Sequence, residues 1–251
     1  MVVAHRGASA VEPENTLRAF ESALRAGADI IELDVRLTSD GFPVVLHDAD
    51  VAGTTDGAGW VHELTISQVK ALDAGGRSGS REEVPTLAEA LDLAADLGGG
   101  VDLEIKNLPG EPAFDSPAES VLVASVDVIA SSRFDGPLLV SSFNWLTIER
   151  CKQLAPDVPT GFLTIAAIDP NAALVYARQR GHEFVLPQTP ALVEAGRSFV
   201  DEAHAAGVRV GTWVADDEAV LDILFSWGVD AVASNDPALA ITVRNRVAAA
   251  Q

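Results

Sequence analysis

The sequence predicts a (β/α)8 TIM barrel, and three observations carry that prediction. Eight short β-rich apolar runs recur along the chain, longer helical stretches lie between most of them, and glycines punctuate the passage from helix to strand. The runs expected as strands cover residues 2–5, 30–35, 101–105, 138–141, 160–163, 184–186, 208–214 and 231–233. Helices are expected over 16–25, 87–97, 118–131, 171–180, 191–206 and 218–227. Gly27, Gly98, Gly181, Gly207 and Gly228 stand just before a strand or a few residues ahead of one, where a left-handed residue is wanted. Eight such units in 251 residues fit a closed barrel better than an open doubly wound sheet, and no dinucleotide-type glycine fingerprint follows any strand.

Taken in order, the first run ends at His5 and is followed by Arg6 and Gly7, and the second alternates apolar Ile31 and Leu33 with acidic Glu32 and Asp34. One stretch then breaks the rhythm. The tight-turn pair Asp40-Gly41 leads into an extended run over 43–46 that ends at His47-Asp48, and residues 48–85 are rich in Gly, Thr, Ser and Asp. The expectation is a single barrel domain over 1–251, with 48–85 inserted between strand two and its helix and lying over the C-terminal mouth, where such insertions shape access. The third run repeats the charged end with Glu104 and Lys106, and the remaining runs are largely apolar.

Composition excludes several classes of function. The 37 acidic against 17 basic side chains leave a formal charge of −20, which opposes docking on bare phosphate backbones or anionic bilayers. Neither nucleic acid nor stable membrane association is therefore expected, and a small-molecule substrate is. The single cysteine, Cys151, allows no internal disulfide and no thiolate cage for zinc. Residues 1–8 lack the basic start and apolar core of a signal peptide, so a cytoplasmic protein is expected. The oligomeric state stays open.

The chemistry gathers at strand ends. Side chains at i and i+2 of a strand share a face about 6.6 Å apart, so Glu32 with Asp34, and Glu104 with Lys106, face the same way at the C-terminal ends of their strands. A lone strand carboxylate is usually an ion-paired structural charge. Three converging ones without cysteine or a histidine pair form a hard oxygen site, suited to one divalent cation, Mg²⁺ or Ca²⁺, with Mn²⁺ open. His5 and His47 reach the same mouth, where one neutral and one protonated imidazole could share acid and base work in a hydrolysis. Arg6 and Lys106 offer cations to an anionic substrate, and Lys106 is one of only three lysines, with Lys70 and Lys152. His62, His182 and His204 are expected to be structural.

These residues form a familiar set: His5-Arg6-Gly7, Pro13-Glu14-Asn15-Thr16, Glu32-Leu33-Asp34-Val35, His47-Asp48, Glu104-Ile105-Lys106, Ser141-Ser142-Phe143, Thr212-Trp213 and Ser234-Asn235-Asp236-Pro237. In this order, over nearly the whole chain, the set resembles the glycerophosphodiester phosphodiesterase family. The resemblance implies a (β/α)8 barrel with a small insertion after strand two, a divalent cation held by Glu32, Asp34 and Glu104, acid–base roles for His5 and His47, and phosphate contacts from Arg6 and Lys106. It implies cleavage of glycerophosphodiesters to sn-glycerol 3-phosphate and an alcohol. Trp213 is expected to stack on a glycerol or choline-like group, with core packing an equal alternative. Gly53 stands where the family often has arginine, and Asn235 where aspartate is common. Three competitors remain: a phospholipase D-like phosphodiesterase acting on a lysophospholipid or sphingolipid, a magnesium-dependent barrel lyase, which leaves both histidines unexplained, and an anion-binding protein without turnover.

Overall fold

A computed structural model describes residues 1–76 and 79–250. In chain order the elements are β1 (Val2–His5), α1 (Leu17–Ala26), β2 (Ile30–Leu37), β3 (Pro43–Val45), α2 (Ile66–Lys70), α3 (Leu87–Leu97), β4 (Gly100–Ile105), α4 (Ser120–Ser131), β5 (Leu138–Ser142), α5 (Trp145–Leu154), β6 (Thr160–Thr164), α6 (Pro170–Arg180), β7 (Phe184–Pro187), α7 (Thr189–Ala195), α8 (Arg197–Ala205), β8 (Arg209–Thr212), α9 (Glu218–Ser226), β9 (Ala231–Ser234) and α10 (Pro237–Ala249). Eight strands pair in parallel in the order β1, β2, β4, β5, β6, β7, β8, β9, and β9 returns to β1 to close the barrel. The ninth, β3, runs antiparallel to the upper end of β2, pairing Val45 with Val35 and Pro43 with Leu37.

The barrel strands are largely buried on both faces. Outward residues such as Ile31, Leu33, Leu103 and Val140 pack against the apolar faces of the first helices, and Val185, Val210 and Val232 against those of the last. Each fully buried Leu or Ile contributes on the order of 1.5–3 kcal/mol by leaving water. Helix α3 illustrates how local sequence sets the frame: Thr86 and Glu89 form a reciprocal capping box, Leu87, Ala90, Leu91 and Ala94 line the buried face, and Gly98 ends the helix at φ +69°. Inside the barrel, Leu186 fills the space left by two glycines. A Cβ on Gly161 or Gly211 would lie 2.6 or 2.5 Å from its methyl carbons.

Several elements differ from the sequence expectation. The stretch 191–206 is two helices, α7 and α8, because Gly196 between them adopts φ +77° with ψ −179°, outside the helical region. Helices α5 and α10 were not expected; α10 begins with Asp236 as N-cap and Pro237 in the first turn. The run at 208–214 contracts to β8, and Trp213 beyond it makes only an isolated bridge to Gln188. The stretch 48–85 contributes Val51, Val61, Val69 and Val84 to a small apolar cluster shared with Val44 and Leu46 just before it. Arg77 and Ser78 within it lie outside the described residues. No helix among the described residues is long and apolar enough to cross a membrane.

Candidate active site

The parallel register carries the charged residues to one end of the barrel. His5 pairs with Glu32 across β1 and β2, Glu32 with Asp102, and Asp34 with Glu104 across β2 and β4. Glu32, Asp34 and Glu104 are all buried, and each offers an oxygen within 4.8 Å of the others'. The sequence expectation that three carboxylates converge is met in this geometry. Glu32 Oε1 is buried without a hydrogen-bond partner, while Oε2 accepts from the Arg6 backbone N–H at 2.9 Å.

Cations and an amide surround this triad. Lys106 Nζ lies 2.9 Å from Asp34 Oδ1 and in direct contact with Glu104 Oε1. Arg6 Nε is 3.2 Å from Asp34 Oδ2, and its Nη1 donates to Glu14 at 2.9 Å. Asn15 Nδ2 donates to the same Asp34 oxygen at 2.8 Å. This pinning rests on unusual backbone: Arg6 and Asn15 adopt φ +54° and +57°, and the Asn15 N–H donates to the Arg6 carbonyl at 3.0 Å. Gly7 follows at φ +82°, so close to α1 that a Cβ would sit 2.6 Å from the Ala19 backbone. Sequence reasoning quoted Asn15 and Glu14 only as parts of a motif, because their contact with the triad is visible only once the first loop folds back.

The two histidines are held through Nδ1. His5 Nδ1 is 2.7 Å from Asn235 Oδ1, and His47 Nδ1 is 2.7 Å from Asp48 Oδ1. His47 hangs just past β3, where Arg36 Nε donates to its carbonyl at 2.7 Å. Arg36 in turn grips Glu111 of the β4–α4 loop in a bidentate pair at 2.7 and 3.0 Å. Gly53 has a local reason: a Cβ there would lie 2.6 Å from Asp48 Oδ2, the carboxylate that steadies His47. Trp213 is half-buried, donates Nε1–H to the Leu186 carbonyl at 3.1 Å and meets the Phe143 ring edge-on at 5.1 Å. It packs against the apolar cluster of the barrel interior and lines a cavity of about 370 Å³ that reaches His5, Glu32 and Glu104, an arrangement that leaves both the stacking and the packing expectation open.

Burial and mutual repulsion set the electrostatics. Burial, then Asp34 and Glu104, push the Glu32 carboxyl well above its usual range. Burial would also raise Asp34, but Lys106 and Arg6 hold it well below. Glu104 is raised by burial against the pull of Lys106. Asp102, facing the same interior, is pushed up to about 7 by burial, although Ser141 donates to it at 2.7 Å. Lys106 stays charged because Glu104 and Asp34 outweigh its burial. Both His5 and His47 are lowered, first by burial and then by Arg6 and Lys106 respectively.

Of the remaining histidines, two are held by partners outside the triad. His182 is buried and bonded to Thr160, and His204 pairs with Asp230 at 2.7 Å. His62, expected to be structural, lines a side cleft of about 270 Å³ with Arg36, Lys106 and Ser120.

Known proteins match this arrangement along almost its full length. The model of the glycerophosphoryl diester phosphodiesterase family matches residues 5–239. A glycerophosphodiester phosphodiesterase of Caldanaerobacter subterraneus is 35% identical over 242 residues, covering 94% of both chains. One of Bacillus subtilis is 30% identical over 256 residues, covering 95% of this chain and 84% of its own. A solved phosphodiesterase of Oleispira antarctica, in complex with the product sn-glycerol-3-phosphate, superimposes with a TM-score of 0.88 at 32% identity, covering 98% of this chain and 96% of its own. With a family model spanning the barrel from His5 to Leu239, the chain belongs to the glycerophosphoryl diester phosphodiesterase family and is a phosphoric diester hydrolase.

Proposed function

We propose that the protein hydrolyses glycerophosphodiesters to sn-glycerol 3-phosphate and an alcohol, using one divalent cation and the histidine pair His5 and His47. The observation that carries this reading is the meeting of three buried carboxylates with two histidines, Arg6 and Lys106 at one end of a barrel of this family. The product named for the Oleispira relative supports the substrate class.

The donor set fits a hard cation. All three donors are carboxylate oxygens, they converge within 4.8 Å, and Glu32 Oε1 is buried without a partner that would otherwise satisfy it. Glu32, Asp34 and Glu104 would hold Mg²⁺, Ca²⁺ or Mn²⁺. When bound, the cation supplies Lewis-acid polarisation of a phosphoryl oxygen and neutralises developing charge. Arg6, already forked between Asp34 and Glu14, presents guanidinium N–H groups to phosphate oxygens, and Lys106 adds a compact charge. One histidine takes the proton of the attacking oxygen and the other gives one to the leaving alcohol; their lowered pKa values favour a neutral acceptor at neutral pH. Trp213 would stack its half-buried ring on the glycerol or the alcohol, a role supported by its lining the cavity that reaches His5, Glu32 and Glu104. We infer that the described part of residues 48–85 belongs to the single barrel domain and shapes access to the mouth; what supports this is Asp48, at its start, holding His47 Nδ1 at 2.7 Å.

The test is glycerol 3-phosphate release from glycerophosphocholine and glycerophosphoethanolamine by chelator-stripped protein, before and after Mg²⁺, Ca²⁺ or Mn²⁺ is added singly. Restoration by a cation supports the reading, and silence with every cation refutes it. One observation favours a second reading, a phosphodiester bearing an aliphatic chain such as a lysophospholipid or sphingolipid. Trp145 and Leu146 are exposed in the first turn of α5, and Ile165 and Ile168 on the neighbouring β6–α6 connection, at the C-terminal ends of their strands. Chain-bearing substrates belong in the same assay.

A further inference from the structure

Strand β9 ends at Ser234, and the chain turns through Asn235 onto the N-cap of α10. The Asn235 side chain stands between a histidine and a carboxylate. Its Oδ1 is 2.7 Å from His5 Nδ1, and its Nδ2 is 2.6 Å from Asp216 Oδ2. Asp216 holds the turn by a second route, its Oδ1 accepting the Asn235 backbone N–H and the Ser234 hydroxyl, both at 2.8 Å. A carboxylate only accepts, so the amide edge facing Asp216 must be the NH₂ group. A flipped amide would set two oxygens 2.6 Å apart. The carbonyl edge therefore faces His5, and His5 Nδ1 must carry a proton. In the neutral ring that leaves Nε2 bare.

We infer that Asp216 and Asn235 are positioning residues that lock His5 in its Nδ1–H tautomer, making Nε2 the atom that accepts a proton. This rests on the proposed proton-transfer role of His5. Asp216 acts at one remove, through the amide. Ser9 is not part of the lock: its hydroxyl lies 2.7 Å from the His5 carbonyl and 3.0 Å from Asn235 Oδ1. A hydroxyl can donate to or accept from either amide edge. An aspartate at 235 would face Asp216 as a second carboxylate, so the pair works only with one amide.

The test reads the tautomer directly. Nitrogen-15 spectra of imidazole-labelled protein at pH 8, with His5 assigned by its loss in His5→Gln, are expected to show His5 as Nδ1–H. Asp216 is exposed, so Asp216→Asn and Asp216→Ala should fold, checked by thermal melting. In both, a substantial Nε2–H population should appear and kcat should fall roughly tenfold or more with KM little changed, as a mis-set tautomer does in other His-based catalysts. Ser9→Ala should match the parent in both readouts. An Nε2–H pattern in the parent, or a pure Nδ1–H pattern in both Asp216 variants whatever their kcat, overturns the lock. Full turnover by His5→Gln would instead overturn the role of His5 while leaving the tautomer result standing.

Discussion

Replacing Lys106 with methionine removes the cation that bridges two buried carboxylates, and its cost follows from the geometry. The Lys106 side chain is 4% exposed, and its partners Asp34 and Glu104 are 1% and 9% exposed, so water cannot replace the lost ammonium. Breaking one side of a buried ion pair costs about 3–5 kcal/mol. For a domain of this size, a melting shift of about 2–4 °C per kcal/mol converts that to roughly 6–20 °C. The sign with pH is fixed by the partners. In the parent, the lowered Asp34 contributes stability that is present above its ordinary value of 3.8 and lost as pH falls, and the raised Lys106 contributes until pH passes its ordinary 10.5 and above. In Lys106→Met, the stranded carboxylates rise and take up protons as pH falls, so the deficit is expected to be largest near pH 8 and to shrink toward pH 5. Urea unfolding followed by circular dichroism at both pH values, in chelator, measures it. A deficit below about 1 kcal/mol at pH 8, or one unchanged at pH 5, would refute the claim that Lys106 acts by neutralising this pair.

Single replacements His5→Ala and His47→Ala should each lower kcat by about 10²-fold or more while leaving the melting temperature close to the parent's, and near-normal turnover in either would remove it from proton transfer. Because both imidazoles are lowered from 6.5, the acid limb of kcat/KM should fall below pH 6.5; a limb above pH 7 contradicts the cause given, burial beside Arg6 and Lys106. Two glycines with left-handed backbone should part company on stability. Gly41→Ala, with nothing within 4 Å of the new Cβ, should cost about 1–2 kcal/mol for its φ alone, whereas Gly7→Ala also drives a Cβ to 2.6 Å from the Ala19 backbone and should cost clearly more, read from denaturant midpoints.

The elements that the sequence reveals are those with a strong local signature. The barrel strands are short, largely apolar and largely buried, and Gly27, Gly98 and Gly181 end their helices in the left-handed region where sequence reading expects them. Helix α5 was missed because its mixture of Trp, Thr, Glu, Arg and Lys gives no clean apolar stripe, and its start is set by the Asn144 side chain accepting from Leu146 N–H. Helix α10 carries a local signal, Asp236-Pro237, in which the aspartate caps the helix and the proline sits in its first turn. The α7–α8 break was hidden because Gly196 interrupts an otherwise continuous helical pattern, and only its backbone angles show that the chain turns there.

By itself, the sequence determined the period of the fold and which charged side chains share a face: alternation places Glu32 with Asp34, and Glu104 with Lys106, on one side of their strands, and eight such βα units favour a closed barrel over an open sheet. Tertiary structure alone decided how those groups are partnered. The contacts of Asp34 with Asn15 and Arg6, of His47 with Asp48 under Arg36, of His5 with Asn235, and of Asn235 with Asp216 depend on loops that return to the mouth. Most of these partners lie more than ten residues apart in sequence, and no periodicity encodes such a meeting. It follows from packing, because a buried charge or amide persists only where the fold brings it a partner.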